Sequence, residues 1–156
     1  MRILHLADLH LDSEWFDWVD NLTTENDIVV LAGDLLNMFS NVPLHDQARA
    51  CGDWLLSLPV PTVVCSGNHD YWVSDPRVAL DAQAEGRWIR SLCGQGRIIG
   101  ADGDVIAHAG LRIAINGWLQ LPANAEGADV VVTHAPPVGC KCAADVTTGI
   151  PSCGMS

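Results

Sequence analysis

A chain of 156 residues and 16.7 kDa is the size of one ordinary domain, and a domain near 150 residues buries roughly 68–70% of the surface its unfolded chain exposes. Hydrophobic residues at 49% against 17% charged exclude a disordered chain, and no unbroken apolar stretch is long enough to span a bilayer. Nineteen acidic residues against eight basic ones leave a net charge of −11, a field that repels nucleic acid and disfavours a nonspecific DNA binder, though not a small anionic substrate held at a metal.

The opening Arg2-Ile3-Leu4-His5-Leu6-Ala7 reads directly into a strand, and Asp8 interrupts before the apolar core of a signal peptide could form, which points to a cytoplasmic protein. Strands are expected at residues 2–7, 27–32 and 61–66, each with Val, Ile and Leu on both faces, as in a parallel sheet covered by helices. Helices are expected over part of 13–24, then over 43–58 and 76–92, the last opened by Asp75 as a cap and Pro76 at the first helical position. After Gly94 the texture changes: 97–100, 104–109 and 111–118 read as short strands joined by Gly-containing turns, an antiparallel meander, with a last strand at 129–133. The chain thus reads as one α/β domain, 1–156, built on two sheets. Its six cysteines are expected to stay reduced in the cytosol, and the Cys140, Cys142, Cys153 cluster lacks the paired C-x-x-C spacing of a zinc ribbon.

In an open α/β sheet, ligands collect beyond the carboxyl ends of the strands. Asp8-Leu9-His10 follows the first strand here, Gly33-Asp34 the second, Gly67-Asn68-His69-Asp70 the third, and His134 the last. Any one of these has an ordinary reading as a helix cap or loop residue. Together they deliver carboxylate, imidazole and amide groups from four strands to one edge. Asp8 and His10, one residue apart, share a side if the backbone stays extended, and Gly33 and Gly67 permit sharp turns that bring the next side chain back over the sheet edge. This mixture of donors suits Mn, Fe or Zn better than Cu(I) or Ca, and two ions better than one.

The order Asp-x-His, Gly-Asp, Gly-Asn-His-Asp and a later His resembles the calcineurin-like metallophosphoesterase superfamily, and the opening through Leu11 is similar to many bacterial members. The resemblance runs from Met1 to about Val138. It implies a four-layer αββα sandwich of two mixed sheets with a binuclear centre at the strand ends. Asp8 and His10 would hold the first divalent metal, Asp34 would bridge the two, and Asn68 and His134 would hold the second. Two ions roughly 3.5–4 Å apart would share an activated hydroxide that attacks the phosphorus of a phosphomonoester or phosphodiester. His69 would act as the family's non-ligand histidine, protonating the departing oxygen. Its usual Asp or His partner is replaced here by Asn37, which orients an imidazole without stabilising its charged form as a carboxylate does.

One family motif is missing: the 22 residues after His134 contain no Gly-His-x-His. Each metal then keeps three protein ligands, with Asp34 counted twice, and affinity should fall. The stretch would also have supplied an outer strand and helix, leaving part of the second sheet exposed or covered by a second copy of the chain. A catalytically impaired binding or scaffold member of the same fold is therefore the alternative function. A nuclease of the double-strand-break repair type shares the opening motif but is opposed by the charge. Among other candidates, His5 is expected beneath the site, His45 on a helix surface and His108 in a structural or solvent-facing strand position. Tyr71 and Trp72 could line the pocket mouth, and Trp15, Trp18, Trp54, Trp88 and Trp118 read as packing residues.

Overall fold

Four parallel strands build the first sheet in the order in which the chain lays them down. β1 (Ile3–Leu6), β2 (Ile28–Ala32), β3 (Thr62–Cys65) and β4 (Ile98–Gly100) lie side by side in a computed structural model that describes residues 1–70, 83–118 and 125–135. Three helices cross over between them: α1 (Ser13–Thr23), α2 (Leu44–Ser57) and α3 (Gln83–Leu92). Asp12 caps α1 by accepting from Glu14 N at 2.9 Å, which satisfies one of the donors a helix start leaves over.

All three helices pack on one face of this sheet. Val29 and Leu31 of β2, Val64 of β3 and Ile98 of β4 meet Val19, Cys51, Leu55 and Ile89 there. The opposite face of the same strands, Ile28, Val30, Ala32, Val63 and Cys65, packs against Ile113, Ile115 and Val132 of a second sheet. Both faces of β2 and β3 are buried, which is why their apolar runs are continuous rather than alternating. The second sheet contains β5 (Val105–His108), β6 (Leu111–Asn116) and β7 (Val130–Thr133), with β5 antiparallel and β7 parallel to β6. The expected α/β architecture of two sheets is present, and the described residues show three of the expected four layers. No helix among them lies on the outer face of the second sheet.

One expectation about the strands needs correction. The segment at 97–100 does not open an antiparallel meander: β4 pairs parallel with β3 in the first sheet, because α3 carries the chain back across it. The last strand, for which the sequence set no direction, joins β6 in parallel after a connection long enough for a crossover. The N-terminal part of the helix expected from 76, with its Asp75-Pro76 start, lies outside the described residues, as do Tyr71, Trp72 and Cys140, Cys142 and Cys153. Cys51, Cys65 and Cys93 are unpaired thiols. Burial, reinforced by Asp70, raises the Cys51 thiol well above its ordinary pKa, and burial also dominates at Cys65. Both are inert core residues rather than nucleophiles.

Trp15 and Trp18 are exposed rather than packed in the core, and stand edge to face at 5.7 Å on α1. Trp54 does pack between layers: it stacks flat on Phe16 at 4.2 Å and donates to Asp20. His5 is exposed on the edge strand β1 rather than buried beneath the site. No helix among the described residues is long and apolar enough to cross a membrane.

Candidate metal centre

Parallel strands all point their carboxyl ends the same way, so the loops after β1, β2 and β3 share one edge of the first sheet, and His134 after β7 reaches it from the second. The loop after β1 runs beside the loop after β2 as an extension of their ladder: Asp8 N donates to Gly33 O, His10 N to Asp34 O, and Leu11 N to Leu35 O, at 3.0, 2.9 and 2.8 Å. Here the expected geometry is corrected. Asp8 and His10 do not share a side through an extended backbone; both lie in the left-handed region, with φ of 60° and 48°, followed by Leu11 at 56°. Three non-glycine residues in that region within four positions is backbone strain of the kind that collects at functional sites.

Asp34 also has a left-handed φ, 55°, and only 4% of its surface is exposed. The two glycines that flank this region serve different purposes. Gly33 has a φ of 87°, and a Cβ there would stand 2.6 Å from Gly67 N and 2.9 Å from the His134 Cβ. Gly67 makes no such turn; a Cβ on it would collide with the Asp34 carboxylate and backbone nitrogen. Gly67 is thus required by close approach, not by conformation.

The side chains converge. Donor atoms of His10, Asp34 and His69 form one group and those of Asp8, Asp34 and His134 a second, each within 4.8 Å. Asp34 belongs to both. Its Oδ1 accepts from His69 N at 2.8 Å, while Oδ2 lies 3.5 Å from His134 Nε2 and 3.9 Å from His69 Nε2. His10 Nε2 lies 3.8 Å from an Asp8 oxygen. Two imidazoles are oriented from behind by backbone carbonyls, His10 Nδ1 on Leu36 O at 3.2 Å and His134 Nδ1 on Ala32 O at 2.9 Å. A carbonyl only accepts, so the proton sits on Nδ1 and the Nε2 lone pair faces the cluster, the tautomer a metal ligand needs. Among the described residues the ion-pair partners of Asp8 and Asp34 are imidazoles, not Lys or Arg. Two carboxylates facing three imidazoles suit a divalent transition metal. Asn68 begins the single 3-10 turn Asn68–Asp70 on the same edge and is half-buried.

Asp70, read in the sequence only as the last residue of the Gly67–Asp70 motif, is the clasp of the edge. Its buried carboxylate accepts from Asp34 N and Gly67 N through one oxygen, at 2.9 and 2.8 Å, and from Leu35 N and Leu36 N through the other, at 2.9 and 3.1 Å. Trp88 of α3 donates its indole N–H to the Asp70 carbonyl at 3.1 Å. Desolvation pushes the Asp70 carboxyl up to about 7 against the pull of these amides. A second buried carboxylate, Asp102, accepts from Ser66 N at 2.8 Å and from the Ser66 hydroxyl at 2.5 Å, and burial raises its pKa as well. The same hydroxyl accepts from Trp118 N at 3.0 Å. The Trp118 ring stands edge to face with His134 at 6.0 Å, so this tryptophan, expected as packing, also walls the site.

His69 is half-buried, and its Nδ1 has no hydrogen-bond partner among the described residues. Asn37, expected to orient it, is turned to its own loop, where its side-chain oxygen accepts from Phe39 N at 2.9 Å. His45 is exposed on α2 beside Asp46, and His108 is half-buried at the end of β5, away from the cluster in the second sheet.

Comparison with known proteins follows the same lines. A family model described as calcineurin-like phosphoesterase matches residues 1–149. A solved crystal structure to which the chain is similar shares 13% identity at a TM-score of 0.49, with 74% of this chain and 52% of that one covered, so the chain spans about half the length of that relative. No curated protein matches the chain.

Proposed function

The chain belongs to the calcineurin-like phosphoesterase family, and from that premise we propose that it hydrolyses a small phosphomonoester or phosphodiester with two divalent transition metals, Mn foremost and Fe or Zn as substitutes. Asp8, His10, Asp34, Asn68 and His134 are the ligands in this reading, and His69 is the proton donor. The observation that carries it is Asp34, whose carboxylate belongs to two donor groups at once, as a bridging ligand must, although those groups pair it with His10 and His69 and with Asp8 and His134 and so cut across the ligand partition the family resemblance implies. When bound, the cations supply Lewis acidity, neutralising phosphate oxygens and bringing the pKa of a water towards neutrality.

The chain's own residues do the rest. The His69 amide pins Asp34 Oδ1 and fixes the direction of Oδ2. Leu36 O and Ala32 O hold the His10 and His134 rings with Nε2 towards the substrate space, so the donors are preorganised and little reorganisation accompanies reaction. His69, whose Nε2 lies beside the Asp34 carboxylate, is in this reading the group that carries a proton to the departing alkoxide. Asn37 acts through its loop, which stands next to that ring.

A second reading, a binding or scaffold member without turnover, is favoured by one feature: nothing described hydrogen-bonds His69 Nδ1 to tune its acidity. Hydrolysis of p-nitrophenyl phosphate and bis-p-nitrophenyl phosphate by the Mn²⁺-loaded chain separates the two. Turnover that falls to background in Asp34→Asn is the expected result; no turnover with Mn²⁺, Fe²⁺ or Zn²⁺ leaves the scaffold reading.

A further inference from the structure

The segment from Asn37 to Pro43 contains no charged residue, in a chain that is 17% charged. It also exposes apolar side chains: Phe39 is 88% exposed, with Met38 and Val42 about half exposed beside it. A ring left in water forgoes the free energy of its burial, and a loose loop would fold such a ring inward.

This loop is not loose. Gln47 of α2, itself buried, accepts from Asn37 N at 2.8 Å and donates to Asn37 O and Val42 O at 3.0 and 2.7 Å. The Asn37 side chain holds Phe39 N, and the Ser40 hydroxyl holds Val42 N at 3.1 Å. Five hydrogen bonds therefore fix the backbone that presents the ring. The position it takes is specific: the Phe39 ring stands edge to face with His69 at 5.7 Å, and His69 stands edge to face with His10 at 4.7 Å. Phe39, His69 and the metal ligands thus form a row from solvent into the centre.

Resting on the phosphoester reading above, we propose that Phe39 is a specificity-determining residue on which a planar aromatic leaving group of the substrate stacks. With the phosphate at the ligands and His69 next to the departing oxygen, the group attached to that oxygen emerges beside the ring. Stacking on an aromatic platform is worth about 1–3 kcal/mol per ring and requires no charge, which suits an uncharged loop in an acidic protein. The planar group is an aryl ester or a nucleobase, and the two are separable.

The test uses the Mn²⁺-loaded full chain and non-hydrolysable ligands, so binding is read without turnover. Calorimetry should show phenylphosphonate binding about tenfold more tightly than methylphosphonate. Phe39→Ala should reduce that preference to less than twofold with methylphosphonate affinity unchanged, and Phe39→Trp should retain it. In kinetics, Phe39→Ala should raise KM for phenyl phosphate about tenfold at constant kcat while KM for ethyl phosphate holds. A preference that extends to adenosine monophosphate over ribose 5-phosphate identifies the nucleobase, and one confined to phenyl the aryl ester. Equal binding of the two phosphonates by the wild type, or a preference that survives in Phe39→Ala, overturns this inference alone. Failure of both phosphonates to bind the wild type overturns the phosphoester reading and this one with it.

Discussion

Asp34 and Asp70 are two buried carboxylates with opposite duties. Asp34 keeps one oxygen free for the cluster; Asp70 spends both on four backbone amides and holds together the loops on which Asp34 and Asn68 sit. Replacing Asp70 by Asn sets an NH2 group against N–H donors, which should cost about 2–4 kcal/mol in urea denaturation. The titration of Asp70 gives a second check. Its folded pKa, raised by burial to about 7 from 3.8, means its contribution to stability is full below about pH 4 and is lost as pH rises to 7. Metal-free wild type should therefore lose more stability than Asp70→Asn between pH 4 and pH 8. Gly67→Ala tests the close approach directly: the added methyl meets both the Asp34 carboxylate and its backbone nitrogen, so Mn²⁺ affinity should fall more than tenfold and the urea midpoint should fall with it. At this scale the ligand types were legible, because each follows a strand. Their mode of convergence was not: the left-handed turn through Asp8, His10 and Leu11 contains no glycine to announce it, unlike the turn at Asp34, which Gly33 opens.

Elements explain why those residues meet. β2 and β3 stood out in the sequence because strands buried on both faces must be apolar throughout, and the parallel pairing of β1, β2 and β3 puts three loops on one edge. β4 was harder to place. A strand of three residues, Ile98–Gly100, has no periodicity to read, and its parallel partner β3 is fixed by the helix that returns the chain, not by anything within the strand. Phe39 was equally hidden, since an exposed phenylalanine looks like any other until the loop around it is known. That loop depends on one side chain from α2. Gln47→Leu leaves Asn37 N and Val42 O without their partner and Asn37 O with the Ser40 amide alone, and should lower stability by about 2–4 kcal/mol, read as a shifted urea midpoint with unchanged slope.

Across the whole molecule, the proposed ligands come from both sheets, so a metal bound there would tie together the two halves of the fold. His134 follows β7, and its imidazole rests on Ala32 O at the end of β2. A cation bound only by the folded arrangement stabilises it by mass action, about 2.7 kcal/mol at one hundred times Kd, or roughly 5–10 °C in Tm for a chain of this size. Scanning calorimetry should show that rise with Mn²⁺ in the wild type and little of it in Asp34→Asn. The family could be read from the order of four motifs because each motif stands at a strand end and the topology fixes their sequence. The presentation of Phe39 was not readable, because it lies in how the loop 37–43 is held by Gln47.

Everything proposed for this centre depends on Asp34 serving two cations at once, and anomalous diffraction from Mn²⁺-soaked crystals tests that most directly. The account predicts two Mn peaks flanking the Asp34 carboxylate, one with Asp8 and His10 and one with Asn68 and His134. No peak there, or a single ion that leaves Asp34 uncoordinated, would contradict it.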